Sequence, residues 1–110
     1  MTSLLDKIKE EKRSVNETTR KELLTKVRLH VPLLKQEYDF EDIYIFGSIL
    51  REHNFNQNSD VDFAVSGLAV ENFFKLFTEL ETLCTRDIDL IDLDHSPDKK
   101  ELLLRDGLRL

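Results

Sequence analysis

An α+β (α/β) fold is predicted for this chain: a small mixed β-sheet with helices packed on it. Three observations carry that expectation. Short runs rich in β-branched and aromatic residues recur at residues 43–46, 60–65 and 87–91. Stretches with apolar residues at three- and four-residue spacing precede or separate them. The 110 residues, 40% of them hydrophobic, suit one compact core and no second domain able to hold a large substrate.

Ser3-Leu4-Leu5-Asp6 has the shape of a capping box, so a short charged helix is expected over about residues 4–13. Leu23, Leu24, Val27, Val31, Leu34 and Tyr38 then predict an amphipathic core helix over 17–38, with a kink at Pro32. The expected organisation is thus a charged helical extension, 1–16, ahead of a single domain, 17–110. Ile43-Tyr44-Ile45-Phe46 reads as a buried strand ending at Gly47, followed by a short helix over 48–53. After the turn-prone stretch Asn54–Ser59, a second strand begins at Asp60, with Val61, Phe63 and Val65 on one face and Asp60 and Asp62 on the other. Val70, Phe73, Phe74, Phe77, Leu80 and Cys84 form the core stripe of the next helix. Asp87 to Ile91 makes a third strand, and Ser96-Pro97-Asp98 and Gly107 start and stop a last helix.

Composition narrows the function. Sixteen Lys and Arg against 22 Asp and Glu give a formal charge of −6. The sign is uneven: residues 1–40 hold nine basic and seven acidic side chains, residues 41–110 seven and fifteen. Gripping nucleic acid draws on Lys and Arg contacts to phosphate, so direct DNA or RNA binding is not expected. No long apolar run and no signal-like start are present, which implies a cytoplasmic protein without a membrane segment. Cys84 has no partner for an internal disulfide and reads as a buried thiol.

The acidic part carries the chemistry. Glycine at a strand end lets backbone approach a phosphate, so Gly47-Ser48 is a candidate phosphate seat, the alternative being an ordinary turn capped by Ser48. Asp60 and Asp62 on one strand face repel each other by on the order of 4 kcal/mol at about 4 Å and an effective dielectric near 20. A divalent cation reverses that sign, and oxygen-only ligands favour magnesium or manganese over zinc. Asp89, centred between Ile88 and Leu90, is the third candidate carboxylate, while Asp87, Asp92 and Asp94 read as solvated. Two metals held by three carboxylates suit phosphoryl or nucleotidyl transfer. A calcium loop on Asn56, Asn58 and Asp60 fails, because the turn position holds Val61 and the twelfth position Gly67. Ser48 lacks a nucleophile-elbow pattern, and His30, His53 and His95 lack metal spacing.

Phe46-Gly47-Ser48-Ile49-Leu50-Arg51, then Asp60-Val61-Asp62 and Ile88-Asp89-Leu90-Ile91, resembles the minimal nucleotidyltransferases of the DNA polymerase β-like superfamily. The closing segment Leu104 to Leu108 resembles the end of many small members. By that resemblance Gly47, Ser48 and Arg51 face the triphosphate, Asp60, Asp62 and Asp89 hold two magnesium ions, and Asp89 is the general base. ATP is the implied substrate. Such proteins are often antitoxins paired with a HEPN-domain ribonuclease toxin, some of which they silence by moving AMP to a toxin tyrosine. The resemblance therefore implies a protein acceptor encoded nearby and is compatible with an oligomer. An alternative keeps the fold without catalysis, as a module that neutralises its partner by occlusion. Two departures stand out: the Ser48–Asp60 spacing is one residue longer than usual, and Glu52 replaces a common glycine.

Overall fold

The computed structural model describes residues 3–110; Met1 and Thr2, the first two residues of the expected extension, lie outside them. The two expected N-terminal helices are one, α1, Leu4–Tyr38. Ser3 caps it as its sequence predicts, its Oγ accepting from the Asp6 amide at 3.1 Å. Nothing between residues 13 and 17 breaks the helix, because no glycine or proline occurs there and Ser14 and Asn16 cost only a few tenths of a kcal/mol each. The helix also runs through Pro32, which is exposed, so the carbonyl it strands is open to water. At 1.5 Å per residue the 35 residues of α1 span about 52 Å, close to the 57 Å long axis of the molecule. Its first three turns project: every residue from Leu4 to Val15 is exposed.

A four-stranded sheet follows, with β1 at Asp42–Phe46, β2 at Val61–Ser66, β3 at Ile88–Asp92 and β4 at Leu108–Arg109. The spatial order is β3-β2-β1-β4. β1 runs antiparallel to β2 and β4, whereas β2 and β3 are parallel. Parallel neighbours need a crossover, which α2, Phe73–Cys84, supplies. α3, Asp98–Asp106, ends at Gly107 as expected, and the chain then turns back to add β4 beside β1, a strand too short to leave a periodicity in sequence.

One sheet face carries most of the core. Leu23, Val27, Val31 and Leu34 of α1 and Leu76, Leu80 and Cys84 of α2 cover Ile43, Ile45, Val61, Phe63, Val65, Ile88 and Leu90. Each such side chain contributes roughly 1.5–3 kcal/mol when fully buried. The expected stripe of α2 is corrected in two places: Phe74 is 79% and Val70 67% exposed, and Leu76 takes the inward position. Leu76, Leu80 and Cys84 keep one i, i+4 line, from which Phe74 is displaced by about 200°. Burial pushes the Cys84 thiol up to about 11. Thiol reagents at pH 8 are therefore expected to modify Cys84 at least about a hundredfold more slowly in the folded chain than in denaturant. Equal rates in both conditions, read from thiol-release kinetics, would contradict its burial.

The opposite face is covered only in part. Tyr44, Ala64, Leu93 and Leu103 form a second, smaller cluster, with Phe46 and Ile91 against it. α3 closes this cluster through Leu103. The strand ends beyond it, toward Gly47, are left for the site.

Candidate active site

Strand register assembles the site. Phe46 stands opposite Asp62, and Asp62 opposite Asp89, so one row crosses β1, β2 and β3. Because side chains alternate along a strand, Asp62 shares its face with Ala64 and Asp89 shares its face with Ile91. The next row inward, Tyr44, Ala64 and Ile91, is apolar. The carboxylates thus end an otherwise oily face. Asp60 is not a strand residue: β2 starts at Val61, and Asp60 is the exposed last residue of the preceding loop. Asp89 is exposed, and Asp62 is half-buried.

Burial raises the Asp62 carboxyl above the usual carboxylate range, and the charges of Asp89 and then Asp60 push it further the same way. Among the described residues, the influences that shift Asp62 are its burial and these two like charges, with no basic side chain among them. Among the described residues no three Asp, Glu, His or Cys side chains stand together as a closed metal-binding group. The carboxylates repel one another, and Asp60 is an exposed residue of the loop before β2 rather than part of the strand row. Their chemistry, oxygen donors alone beside an uncompensated charge, fits a hard cation such as magnesium.

Gly47 answers to this geometry. It lies at φ +85°, a left-handed conformation that costs other residues about 1–2 kcal/mol. A Cβ at this position would overlap Oδ2 of Asp62. The element after it is a short 3-10 turn, Gly47–Leu50, rather than the expected helix over 48–53. A single turn has almost no macrodipole, so any attraction for phosphate comes from its free amides. No side chain caps this turn, which sets aside the reading of Ser48 as an ordinary cap.

Beside Gly47 opens a cavity of about 520 Å³. Phe46, Leu50, Ile91, Leu102 and Leu103 supply its apolar lining, and Arg51, Lys99 and Asp106 its charges. Arg51 was expected here. Lys99 was not, since it sits on α3 with no motif around it, and only the packing of α3 on the sheet brings it near Arg51.

The loop between Leu50 and β2 is held from outside the site. Arg86 Nη1 donates to the carbonyls of Asn56 at 3.1 Å and Ser59 at 3.0 Å, and its guanidinium lies 4.4 Å from the centre of the buried Phe55 ring. Asn56 spends its side-chain oxygen on the Asn58 amide, so it serves the turn. Replacing Arg86 with Met is expected to cost about 2 kcal/mol of stability, read from urea unfolding, because two carbonyls lose a charged donor. A change below the error of that measurement would contradict the anchoring. At the exit of β3, Asp92 accepts from the Asp94 amide and pairs with His95 at 2.9 Å, and Asp94 accepts from the Gly67 amide. These two carboxylates, expected to be merely solvated, tie down the end of the sheet. His30 Nδ1 lies 2.8 Å from the Lys26 carbonyl, and His53 is exposed.

Comparison with known proteins agrees with this architecture. The model of the family described as polymerase beta, nucleotidyltransferase, matches residues 31–107. No curated protein sequence matches significantly. Among solved structures, a toxin–antitoxin with AMP-PNP aligns with a TM-score of 0.58 and 26% identity, covering 72% of this chain and 68% of that one. A mutant of the toxin–antitoxin MntA-HpeT aligns with a TM-score of 0.53 and 26% identity over 82% of this chain and 69% of that one. A second MntA-HpeT mutant, at 23% identity and a TM-score of 0.52, supports the fold alone. The matched family and the four-stranded mixed sheet place the chain in the polymerase β nucleotidyltransferase family, and its fold is similar to that of these toxin–antitoxin structures.

Proposed function

We propose that this protein transfers AMP from ATP to a protein acceptor with the help of magnesium, and that the acceptor is the HEPN-type toxin of a pair in which this chain is the antitoxin. One observation carries the reading: Asp62 and Asp89 stand opposite each other in register, and Gly47, which has no room for a side chain against Asp62, also lines the neighbouring, largely apolar cavity. The solved toxin–antitoxin with AMP-PNP supports ATP as the nucleotide.

In this reading Asp60, Asp62 and Asp89 hold the magnesium ions, which when bound neutralise the triphosphate and polarise its phosphorus–oxygen bonds. Gly47 and Ser48 bring backbone close to the phosphates, and Arg51 and Lys99 offset their charge. The nucleoside enters the cavity against Phe46, Leu50, Ile91 and Leu102. Asp89, exposed at the edge strand of the row, takes the proton of the acceptor hydroxyl as its oxygen attacks the α-phosphorus and pyrophosphate leaves. No described helix is long and apolar enough to cross a membrane, and a substrate such as ATP suits a cytoplasmic location.

The test incubates the protein, magnesium and the toxin partner with ATP labelled at either the α or the γ phosphate. Label on the toxin from the α position alone supports adenylyl transfer. Label from the γ position would make the protein a kinase. A tight complex without label from either would leave a module acting by occlusion.

A further inference from the structure

We propose that Glu17 and Arg20 of α1 are positioning residues that hold the loop from Gly47 to His53 in the shape that receives the nucleotide's phosphates; the inference rests on the nucleotide reading above. The loop has little structure of its own. Within it, the Arg51 amide reaches the Ser48 carbonyl at 3.0 Å, and the Asn54 amide reaches the Arg51 carbonyl at a long 3.4 Å. Its anchors come from far away in sequence. Arg20 Nη1 donates to the Ile49 carbonyl at 3.0 Å, and the His53 amide donates to Glu17 Oε1 at 2.7 Å. Arg20 Nε and Nη2 meanwhile donate to Glu17 Oε2 at 3.2 and 3.0 Å. One guanidinium–carboxylate unit thus reaches both halves of the loop.

The pair is sheltered, its side chains 11% and 16% exposed, so it is screened less than an ordinary surface ion pair. His53 needs the help: it lies at φ +67°, a conformation unfavourable outside glycine, and its amide is satisfied by Glu17. Glu17 accordingly keeps its charge, the bonds to His53 and Arg20 holding its carboxyl below the usual range. Because a trans peptide points its carbonyl and the next amide in opposite directions, holding the Ile49 carbonyl toward α1 turns the Leu50 amide away from it. The clamp grips the back of the loop, while Gly47, Leu50 and Arg51 line the cavity in front. A loop fixed before binding loses less freedom when the ligand arrives, which raises affinity without any contact between clamp and ligand.

The experiment compares the wild type with Arg20→Met, Arg20→Lys, Glu17→Gln and the double variant Arg20→Met/Glu17→Gln. Two readouts are taken: amide hydrogen exchange across residues 48–53, and affinity for magnesium with a non-hydrolysable ATP analogue. Arg20→Met is expected to speed loop exchange and weaken the analogue about tenfold each. Arg20→Lys recovers part of both, and the double variant is no worse than the single one, since the two residues act as a unit. Should Arg20→Met fail to fold, the isosteric Glu17→Gln carries the test through the loosened hold on Arg20 and His53. Wild-type exchange in these variants overturns the clamp, as does a loosened loop with unchanged affinity. A wild-type protein that binds no analogue overturns the nucleotide reading itself, an outcome distinct from clamp variants that bind as well as the wild type.

Discussion

Replacing Asp62 with Asn is expected to lower adenylyl transfer at least about a thousandfold, while the ligand-free protein becomes more stable. In the proposed reading the activity loss follows from removing a charged oxygen from three carboxylates that would act together on a metal, leaving little for the other two to do. The stability gain has the opposite origin. The folded-state carboxyl of Asp62 is raised by burial and by Asp89 and Asp60. A raised acid favours folding fully below its unfolded pKa, and that contribution is lost as pH rises through the folded value. At neutral pH the ionised side chain is therefore a liability, and an uncharged amide of the same shape removes it. Like charges opposed on neighbouring strands cost roughly 0.2–1 kcal/mol, so the melting midpoint should rise by a few degrees at pH 7 and by less at pH 4. A variant that loses both activity and stability at pH 7 would make Asp62 a structural residue.

Gly47→Ala is the second large effect. Alanine at φ +85° costs about 1–2 kcal/mol of backbone strain, measurable as a lower urea midpoint. Its methyl group also displaces Oδ2 of Asp62, the nearest atom to a Cβ at this position. If Asp62 holds the metal as proposed, moving its oxygen by about 1 Å is enough to cost on the order of a hundredfold in rate. The two substitutions share one target, so in an Asp62→Asn background Gly47→Ala should lower activity little further. Full additivity would mean that Gly47 acts elsewhere than through Asp62.

Local pattern made much of this fold legible in sequence, and its failures share a cause. Ile43–Phe46, the Val61/Phe63/Val65 alternation and the Leu23–Tyr38 stripe are strong periods bounded by turn residues, and the strands and core face they imply are present. The capping box at Ser3 and the Leu23–Tyr38 stripe mark two stretches of α1, but the segment joining them projects past the body, has no core to face and so carries no apolar period to show that they are one helix. Helical spacing alone sets Phe74 in the inward stripe, whereas neighbouring Phe73 and Leu76 reach the core and leave it outside. β4, two residues long, exists only because β1 offers it an edge.

In the candidate site, spacing singled out Gly47, Asp60, Asp62 and Asp89, since glycine at a strand end and carboxylates in apolar strands are locally costly and therefore conspicuous. Spacing could not show that Asp60 falls outside β2. Nor could it show Lys99, Arg86, Arg20 or Glu17, ordinary charged residues whose partners lie tens of positions away. The left-handed residue of the long loop is His53 rather than Glu52, which stands where the family commonly has glycine. Its strain is relieved by a hydrogen bond to another helix, and no local pattern records that.

The central claim, that the carboxylate row beside Gly47 binds a magnesium nucleotide, is tested most directly by calorimetric titration of a non-hydrolysable ATP analogue. Wild type and Asp62→Asn would be titrated with and without magnesium. The account predicts saturable binding by the wild type that needs magnesium, and at least about a tenfold loss in Asp62→Asn that magnesium does not restore. Binding equally tight in the variant, or indifferent to magnesium in the wild type, would contradict it.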